Sequence, residues 1–410
     1  MINIKSVYMD GLCTGCGTCV GMCPVNAINM VVDRDKGVYR TVVDSKKCVG
    51  CGVCYKVCPG HSVDFEELNK VLFDRQAQSS VLGSYLSCFS GYSTDNNLRY
   101  DSSSGGLVTQ LLISALERGI IDGALITVMD DGNPLRPHSF IARTQEEIIS
   151  SVGAKYCPVP VNIMLKEILN TQEGQKFAIV GMPCQIQGIR KAELVNKYLK
   201  KKIVLHLGLF CTHGISFLGT LAALKERGIK EDQVQSIKYR FGDFPPGKTL
   251  IRSNNEDRII NHLEFWNALL SIGIDAIPAR CRMCIDQTSE LADISIGSGW
   301  FAYKINNQIN YSVGVIRNTV GKAFIQEIKS ANKIDIFPVD PGALALFEKT
   351  QRGDKKNKYQ YLLFFLKLFA KKYPVYRSKL LKSEIKMNLK LWLKALNFYL
   401  MGCVNIKEKE

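Results

Sequence analysis

Apolar positions recur in two periods along this chain, and the switches between them outline an α/β core. In "DSSSGGLVTQLLISALERGIIDGALITV", residues 101–128, Leu107, Leu111, Leu112, Ala115 and Leu116 fall at helical spacing. Ser103 or Ser104 is placed to cap that helix. Gly119 and the Asp122–Gly123 pair are placed to end it, and "ALITV" reads as a buried strand. The form then repeats. "KFAIVGMPCQIQGIRKA", residues 176–192, reads as strand, glycine turn and helix, and "KIVLHLGLFCTHGISFLGTLAALKERGI", residues 202–229, follows suit. "RCRMCIDQTSELADISIGSGW", residues 280–300, leads into a further strand. Residues 310–340 read as one more strand and helix, with a break at "FPVDPG". Strands alternating with helices predict an α/β core over residues 86–345.

The two ends read differently. Residues 60–100 look like a polar connector with a few apolar anchors, and "GVYRTVV", ending at Val43, is strand-like and fits a small hairpin. After residue 345 the chain turns apolar and basic. Leu381, Ile385, Leu389, Trp392, Leu396 and Tyr399 fall on one helical face, with Lys379, Lys382, Lys386, Lys390 and Lys394 on the other. The expected third segment, 346–410, is therefore a basic amphipathic helical tail. It could dock on its own core, on a partner subunit or on an anionic membrane surface. Nucleic acid is the weaker reading, because no recognition fold accompanies the charge.

Composition sharpens this. The net charge is +15, and residues 355–394 hold 12 Lys or Arg against one acid, Glu384, so the basicity belongs to the tail. A chain of 410 residues with 46% hydrophobic and 22% charged residues fits two or three soluble domains. The opening "MINIKSVYMD" lacks the apolar segment of a signal peptide, and no apolar run is long enough to span a bilayer. A reducing cytoplasm is the expected compartment, with membrane association through the tail as the other reading.

Eight of the 15 cysteines lie in the first 58 residues, in two copies of one pattern: "CTGCGTCVGMCP" and "CVGCGVCYKVCP". Three cysteines two residues apart can wrap one inorganic cluster, and a fourth before proline serves the other cluster of a pair. The spacing predicts one [4Fe–4S] cluster on Cys13, Cys16, Cys19 and Cys58, and a second on Cys48, Cys51, Cys54 and Cys23. Structural zinc on the CxxC pairs is the alternative, disfavoured by two complete runs that each end in Cys-Pro. Farther on, Cys184 and Cys211 stand at strand ends and Cys281 and Cys284 form a CxxC, a candidate third metal site. Cys88, Cys157 and Cys403 read as buried apolar residues.

"SSGGLVTQLL", "GAKYCPV", "VGMPCQIQGIRKA", "LGLFCTHGIS" and "CRMCIDQTSELADISIG", in that order, resemble the beta subunit of coenzyme F420-reducing hydrogenase and formate dehydrogenase. With the doubled cysteine run in front, the chain looks like the single-chain relatives of that family. The resemblance implies a ferredoxin-like domain with two clusters and a connector over 1–85, followed by a flavin and iron–sulfur domain over 86–345. It implies an FAD, a third cluster held by Cys184, Cys211, Cys281 and Cys284, and coenzyme F420 as substrate. Ser103, Ser104, Gly105, Gly106, Thr109, Lys155 and Tyr156 fall in the matching flavin region. A redox partner protein or subunit is implied as well. One departure is visible: Gly297 is followed by Ser298 where many relatives have Asp. Lys155, Arg190, Lys191, Arg280 and Arg282 are candidate cations for an anionic cofactor tail, each more ordinarily a solvated charge. The function expected is an iron–sulfur flavoprotein oxidoreductase. The alternatives are a ferredoxin-dependent reductase of an organic substrate and a non-catalytic electron-transfer subunit.

Overall fold

The computed structural model describes residues 4–242, 247–299, 310–381 and Leu393. Near the amino terminus β1 (Ile28–Asp33) and β2 (Val38–Val43) pair antiparallel, with Ile28 opposite Val43, as the hairpin pattern predicts. The two cysteine runs flank this hairpin, and β3 (Ser62–Asp64) follows the second run.

Most of the chain is built on strands β4 (Ser87–Ser93), β5 (Gly123–Asp130), β6 (Asn133–Ala142), β7 (Phe177–Gly181) and β8 (Ile203–Leu209). A separate antiparallel sheet comes next, from β9 (Val234–Phe241), β10 (Lys248–Ser253) and β11 (Glu256–Asn261). Strands β12 (Ile294–Ser298), β13 (Ser312–Ile316) and β14 (Ile334–Val339) then return to the first sheet. Its order is β14-β4-β13-β12-β8-β7-β5-β6. The central run β12, β8, β7, β5 is parallel and the flanking strands are antiparallel. The parallel strands are covered on both faces, which is why "FAIVG" and "IVLHLGL" read as continuous apolar runs.

Helix Leu107–Glu117 packs Leu107, Leu111 and Leu112 on one face of the sheet, together with Phe324 and Ile328. The other face is covered by Ile186 and Ile189 of helix Pro183–Val195 and Leu165 and Ile168 of helix Leu165–Asn170. Met22, Val57, Val63, Phe65 and Leu68 join that same cluster, so the amino-terminal unit shares a core with the α/β unit.

A buried ionic ring ties the central strands together. Arg190 binds Glu193 at 3.0 Å and Asp293 at 2.7 Å, and His206 reaches the same two carboxylates at 2.7 and 2.9 Å. Burial and Arg190 oppose a charge on His206, but Glu193 and Asp293 outweigh them and raise its pKa. The histidine is a core residue, as a lone histidine usually is.

Three expectations need correction. Neither Ser103 nor Ser104 caps helix Leu107–Glu117; Gly106 occupies the cap with φ 73°, and no side chain caps it. The connector is not merely polar, because β4 lies inside the large sheet between β14 and β13. Its "SCFSGYS" is small rather than apolar because a Cβ on Gly91 would stand 2.3 Å from the Asp335 carbonyl oxygen. The boundary at 345 falls within an element, and the described part of the segment after it docks on the chain's own core, one of the readings above. Helix Pro341–Arg352 spans that boundary, helix Lys355–Leu368 buries Tyr359, Phe365 and Leu366, and β15 (Val375–Arg377) pairs parallel with β3. The amphipathic pattern beyond Leu381, the membrane reading attached to it, and Cys403 lie outside the described residues.

The amino-terminal unit docks against helix Pro183–Val195 at one glycine. A Cβ on Gly188 would stand 2.2 Å from Thr18 Oγ1. Gly188→Ala is expected to lower stability by about 1–3 kcal/mol through overpacking. Thr18→Ala in the same chain should recover part of that loss, and chemical denaturation of the four members of the cycle measures it.

Candidate functional site

Each cysteine run begins as a loop that bends at glycine. Gly15 and Gly17 have φ of 70° and 85°, and Gly50 and Gly52, at the same repeat positions, have 70° and 72°. Only glycine takes this left-handed backbone freely, and it turns amides toward the sulfurs. A four-residue helix follows each loop, Thr18–Gly21 and Val53–Lys56, and carries the chain to Cys23 and Cys58.

The thiols gather in three groups. In the first, burial pushes Cys13 up to about 12, with Cys58 and Cys16 adding to it. Burial likewise raises Cys58 to about 11, with Cys16 nearby. Cys19 is raised well above its usual value by burial and then by Cys16, Cys13 and Cys58. The fourth cysteine of the second run has thus crossed to the three of the first. The reverse crossing makes the second group: Cys23 lines one surface depression with Cys48, Cys51 and Cys54. This is the exchange that the doubled spacing predicts. The second group is at the surface, with Cys51 exposed and Val49 66% exposed beside it.

The third group unites residues from three places in the chain. Cys184 opens helix Pro183–Val195 after β7, Cys211 follows β8, and Cys281 and Cys284 surround the end of helix Ala279–Arg282. Burial raises Cys184 well above its usual value, followed by the charges of Cys16, Cys281, Cys211 and Cys284. Cys16 heads that list of neighbours, so the third group adjoins the first.

All described cysteines are free thiols. Amides point at several of them: Gly15 at Cys13 (3.4 Å), Ala27 at Cys23 (3.3 Å), Gly60 at Cys58 (3.2 Å) and Gly214 at Cys281 (3.4 Å). Such donors favour a thiolate over a thiol. Among the described residues no three His, Cys, Asp or Glu side chains converge for a single metal ion. A cubane is larger than a single ion and spreads its four thiolates around it. The donor set, its glycine loops and its amides fit clusters.

The cations near these groups bond within the protein: Arg190 and Arg280 are buried, and Lys191 and Arg282 are half-buried. Lys191 Nζ donates to the carbonyls of Cys58 (2.6 Å) and Ser62 (2.7 Å). Arg280 donates to the carbonyls of Gly60 (2.9 Å) and Pro59 (3.2 Å), and to Tyr376 of β15. Arg190 is held in the ionic ring and Arg282 reaches the Ile274 carbonyl at 3.3 Å. Sequence reasoning missed that Lys191 and Arg280 clamp the amino-terminal unit, and it missed Asn162. The Asn162 amide donates to the Cys16 carbonyl at 2.9 Å, and its Nδ2 donates to Thr18 Oγ1 and to the Gln185 carbonyl. No local signal marks an asparagine for that task.

The residues singled out for a flavin also meet. Ser103 Oγ accepts from the Ala154 amide (2.7 Å) and donates to the Arg240 carbonyl (2.9 Å), joining the serine–glycine turn to the Lys155–Tyr156 loop. Ser104 Oγ bonds Ser312 Oγ, which also accepts from the Gly105 amide. The two hydroxyls are therefore engaged internally. The first-turn amides of Leu107, Val108 and the buried Thr109 remain without acceptors inside the helix. Lys155 Nζ meets the carbonyls of Ser151, Val152 and Gly153, and burial brings its pKa down to about 8. Tyr156 stacks on His262 at 5.6 Å and meets Trp266 edge-on at 5.1 Å. Arg240 donates to Ser298 at 3.3 Å, and the buried Asn310 Oδ1 next to Ser103 has no partner among the described residues. The free first-turn amides and the Arg240 side chain are donors that suit the phosphates of a flavin nucleotide, and the Tyr156 ring lies on the adjoining loop.

Comparison with known proteins agrees with this layout. Residues 88–166 match the family described as coenzyme F420 hydrogenase/dehydrogenase, beta subunit N-term, and residues 174–342 match the corresponding C terminus. Residues 12–61 match a 4Fe-4S dicluster domain. The chain is 30% identical over 286 residues to the coenzyme F420 hydrogenase subunit beta of Methanococcus voltae, covering 67% of this chain and 94% of that one. It is 28% identical to the same subunit from Methanothermobacter thermautotrophicus, over 68% of this chain and 95% of that one. Coenzyme F420-dependent sulfite reductase of Methanocaldococcus jannaschii is 26% identical, over 80% of this chain but 47% of that protein. A chain of the xenon-derivatized F420-reducing [NiFe] hydrogenase complex from Methanosarcina barkeri shares the fold, with TM-score 0.54 and 24% identity, covering 71% of this chain and 96% of that one.

Two outcomes are expected of the thiol groups. Anaerobically loaded protein should hold about twelve irons per chain, and Cys58→Ala or Cys184→Ala should each remove about four, while Cys88→Ala removes none. Because burial keeps the empty thiols protonated, loading must release protons. Iron uptake should therefore weaken as pH falls from 8 to 6, measured by iron content after reconstitution.

Proposed function

This chain belongs to the coenzyme F420 hydrogenase/dehydrogenase beta-subunit family, and from that premise we propose that it is an iron–sulfur flavoprotein oxidoreductase exchanging electrons between coenzyme F420 and a one-electron partner protein. A bound flavin supplies exchange between hydride and single electrons, and clusters carry electrons singly. The observation that carries the reading is the order of the three thiol groups. The third adjoins the first through Cys184 and Cys16, and the second, which shares its cysteine runs with the first, opens at the surface.

The chain's own residues have distinct tasks in this proposal. Cys184, Cys211, Cys281 and Cys284 hold the inner cluster. Cys13, Cys16, Cys19 and Cys58 hold the middle one, and Cys23, Cys48, Cys51 and Cys54 the outer one. Asn162, Lys191 and Arg280 fix the distance between the inner and middle groups by binding backbone carbonyls beside them. The Gly106–Thr109 helix end holds the FAD phosphates, and Arg240 and Asn310 line the same site. Val49 and its neighbours meet the partner, where the rim of the outer group is exposed. Relatives named as hydrogenase subunits support a partner of that kind. Among the described residues no helix is long and apolar enough to cross a membrane.

Anaerobic mixing with reduced coenzyme F420 tests this directly. Flavin absorbance and cluster absorbance should both bleach within the mixing experiment. Flavin that stays oxidised with reduced F420 but bleaches with reduced ferredoxin would make the chain a reductase of an organic substrate. Protein that binds no flavin would make it an electron-transfer subunit.

A further inference from the structure

Helices Pro341–Arg352 and Lys355–Leu368 run past residue 342, where the match to the family ends. They close over the third thiol group. Lys355 opens the second helix and is 9% exposed. Its Nζ donates to the Asp286 carbonyl at 2.9 Å, and the Cys284 thiol donates to the same oxygen at 3.4 Å. Ammonium and thiol thus share one acceptor atom.

A buried ammonium needs an answering charge. Its neighbours have theirs: Lys356 pairs with Glu290, and Arg352 pairs with Glu348 at 2.7 Å while its Nη1 reaches Thr212 beside Cys211 at 3.0 Å. The acceptor that Lys355 meets is a neutral carbonyl. The Asp286 carboxylate is engaged by Gln187 Nε2 at 2.9 Å and by the Glu290 amide at 3.1 Å. What faces Lys355 instead is the third thiol group: Cys284 shares its acceptor oxygen, and Cys211 adjoins Thr212, which the neighbouring Arg352 reaches.

We propose that Lys355 is the counter-charge of the third thiol group, a positioning residue whose buried ammonium favours the electron-rich state of a cluster held by Cys184, Cys211, Cys281 and Cys284 and so raises its reduction potential. This rests on the reading of those cysteines as cluster ligands. Adding an electron makes and breaks no bond and takes up no proton; it adds one negative charge, which a fixed cation in a low-dielectric site stabilises. The cation comes from a helix that lies beyond residue 342, where the family match ends.

Potentiometric titration of the full, anaerobically loaded chain with a dithionite-class reductant, followed by electron paramagnetic resonance, reads the effect. With Lys355→Gln, one of three signals should need a lower potential, with an about tenfold change in its oxidised-to-reduced ratio, or about 59 mV. Lys355→Arg should leave that signal in place, and the other two signals should not move in either variant. Unchanged potentials in Lys355→Gln at full iron content would overturn the proposal. If Lys355→Gln loses about four irons while Lys355→Arg keeps them, the charge is needed and the proposal stands. Loss in both overturns it, and Lys355→Met serves as the neutral variant should the glutamine form fail to fold. A wild-type chain holding only about eight irons would instead overturn the third site itself, and this proposal with it.

Discussion

The approach of the Cys16 loop to helix Pro183–Val195 governs the rest of the structure. Gly188 leaves the space that Thr18 fills, and Asn162 bonds Thr18, the Gln185 carbonyl and the Cys16 carbonyl at once. Gly17 and Gly21 meet the Pro160 and Asn162 carbonyls on the opposite side, where a Cβ would stand 2.7 and 2.2 Å away. Five small or polar residues thereby bring two thiol groups from separate parts of the chain next to each other. Electron transfer falls steeply with distance, so a docking contact without side-chain bulk has a functional consequence.

Charge is the second constraint. Thiols gathered in a dry interior repel one another once ionised, and burial, with Cys281 and Cys284 adding to it, pushes Cys211 up to about 12. The protein answers with amides aimed at sulfur and with cations that bond to carbonyls rather than to carboxylates. Lys191 beside Cys58 and Lys355 beside Cys284 share that arrangement. A carboxylate partner would cancel the charge; a carbonyl partner holds the cation in place and leaves its field directed at the thiols.

The two cysteine runs are alike in sequence and unlike in setting. The first group is enclosed by the α/β unit, and the second is open at Cys51 and Val49. The duplicated loop therefore has an inner and an outer end, and the asymmetry comes entirely from what packs on it. Strand β15 adds to this by pairing with β3 and placing Tyr376 against Arg280, so the carboxyl-terminal segment also holds the amino-terminal unit in place.

Short-range chemistry was legible in the sequence. The doubled Cys-x-x-Cys-x-x-Cys runs dictated the glycine-bent loops, because spacing within a run is a local property, and the repetition of the run pointed to the exchange of the fourth cysteine. The strand–turn–helix repeats announced the α/β core, because burial on both faces forces continuous apolar runs. Tertiary structure alone decided what depends on residues far apart in the chain. Strand β4 hid in "SCFSGYS", because close backbone approach selects small residues over apolar ones. Ser103 and Ser104 turned from caps into cross-links, since Arg240, Ala154 and Ser312 reach them from distant segments. Lys355 counted as one charge of a basic tail until folding buried it beside Cys284. A side chain's charge is written in the sequence, but the dielectric around it and the group it faces are set only when the chain closes.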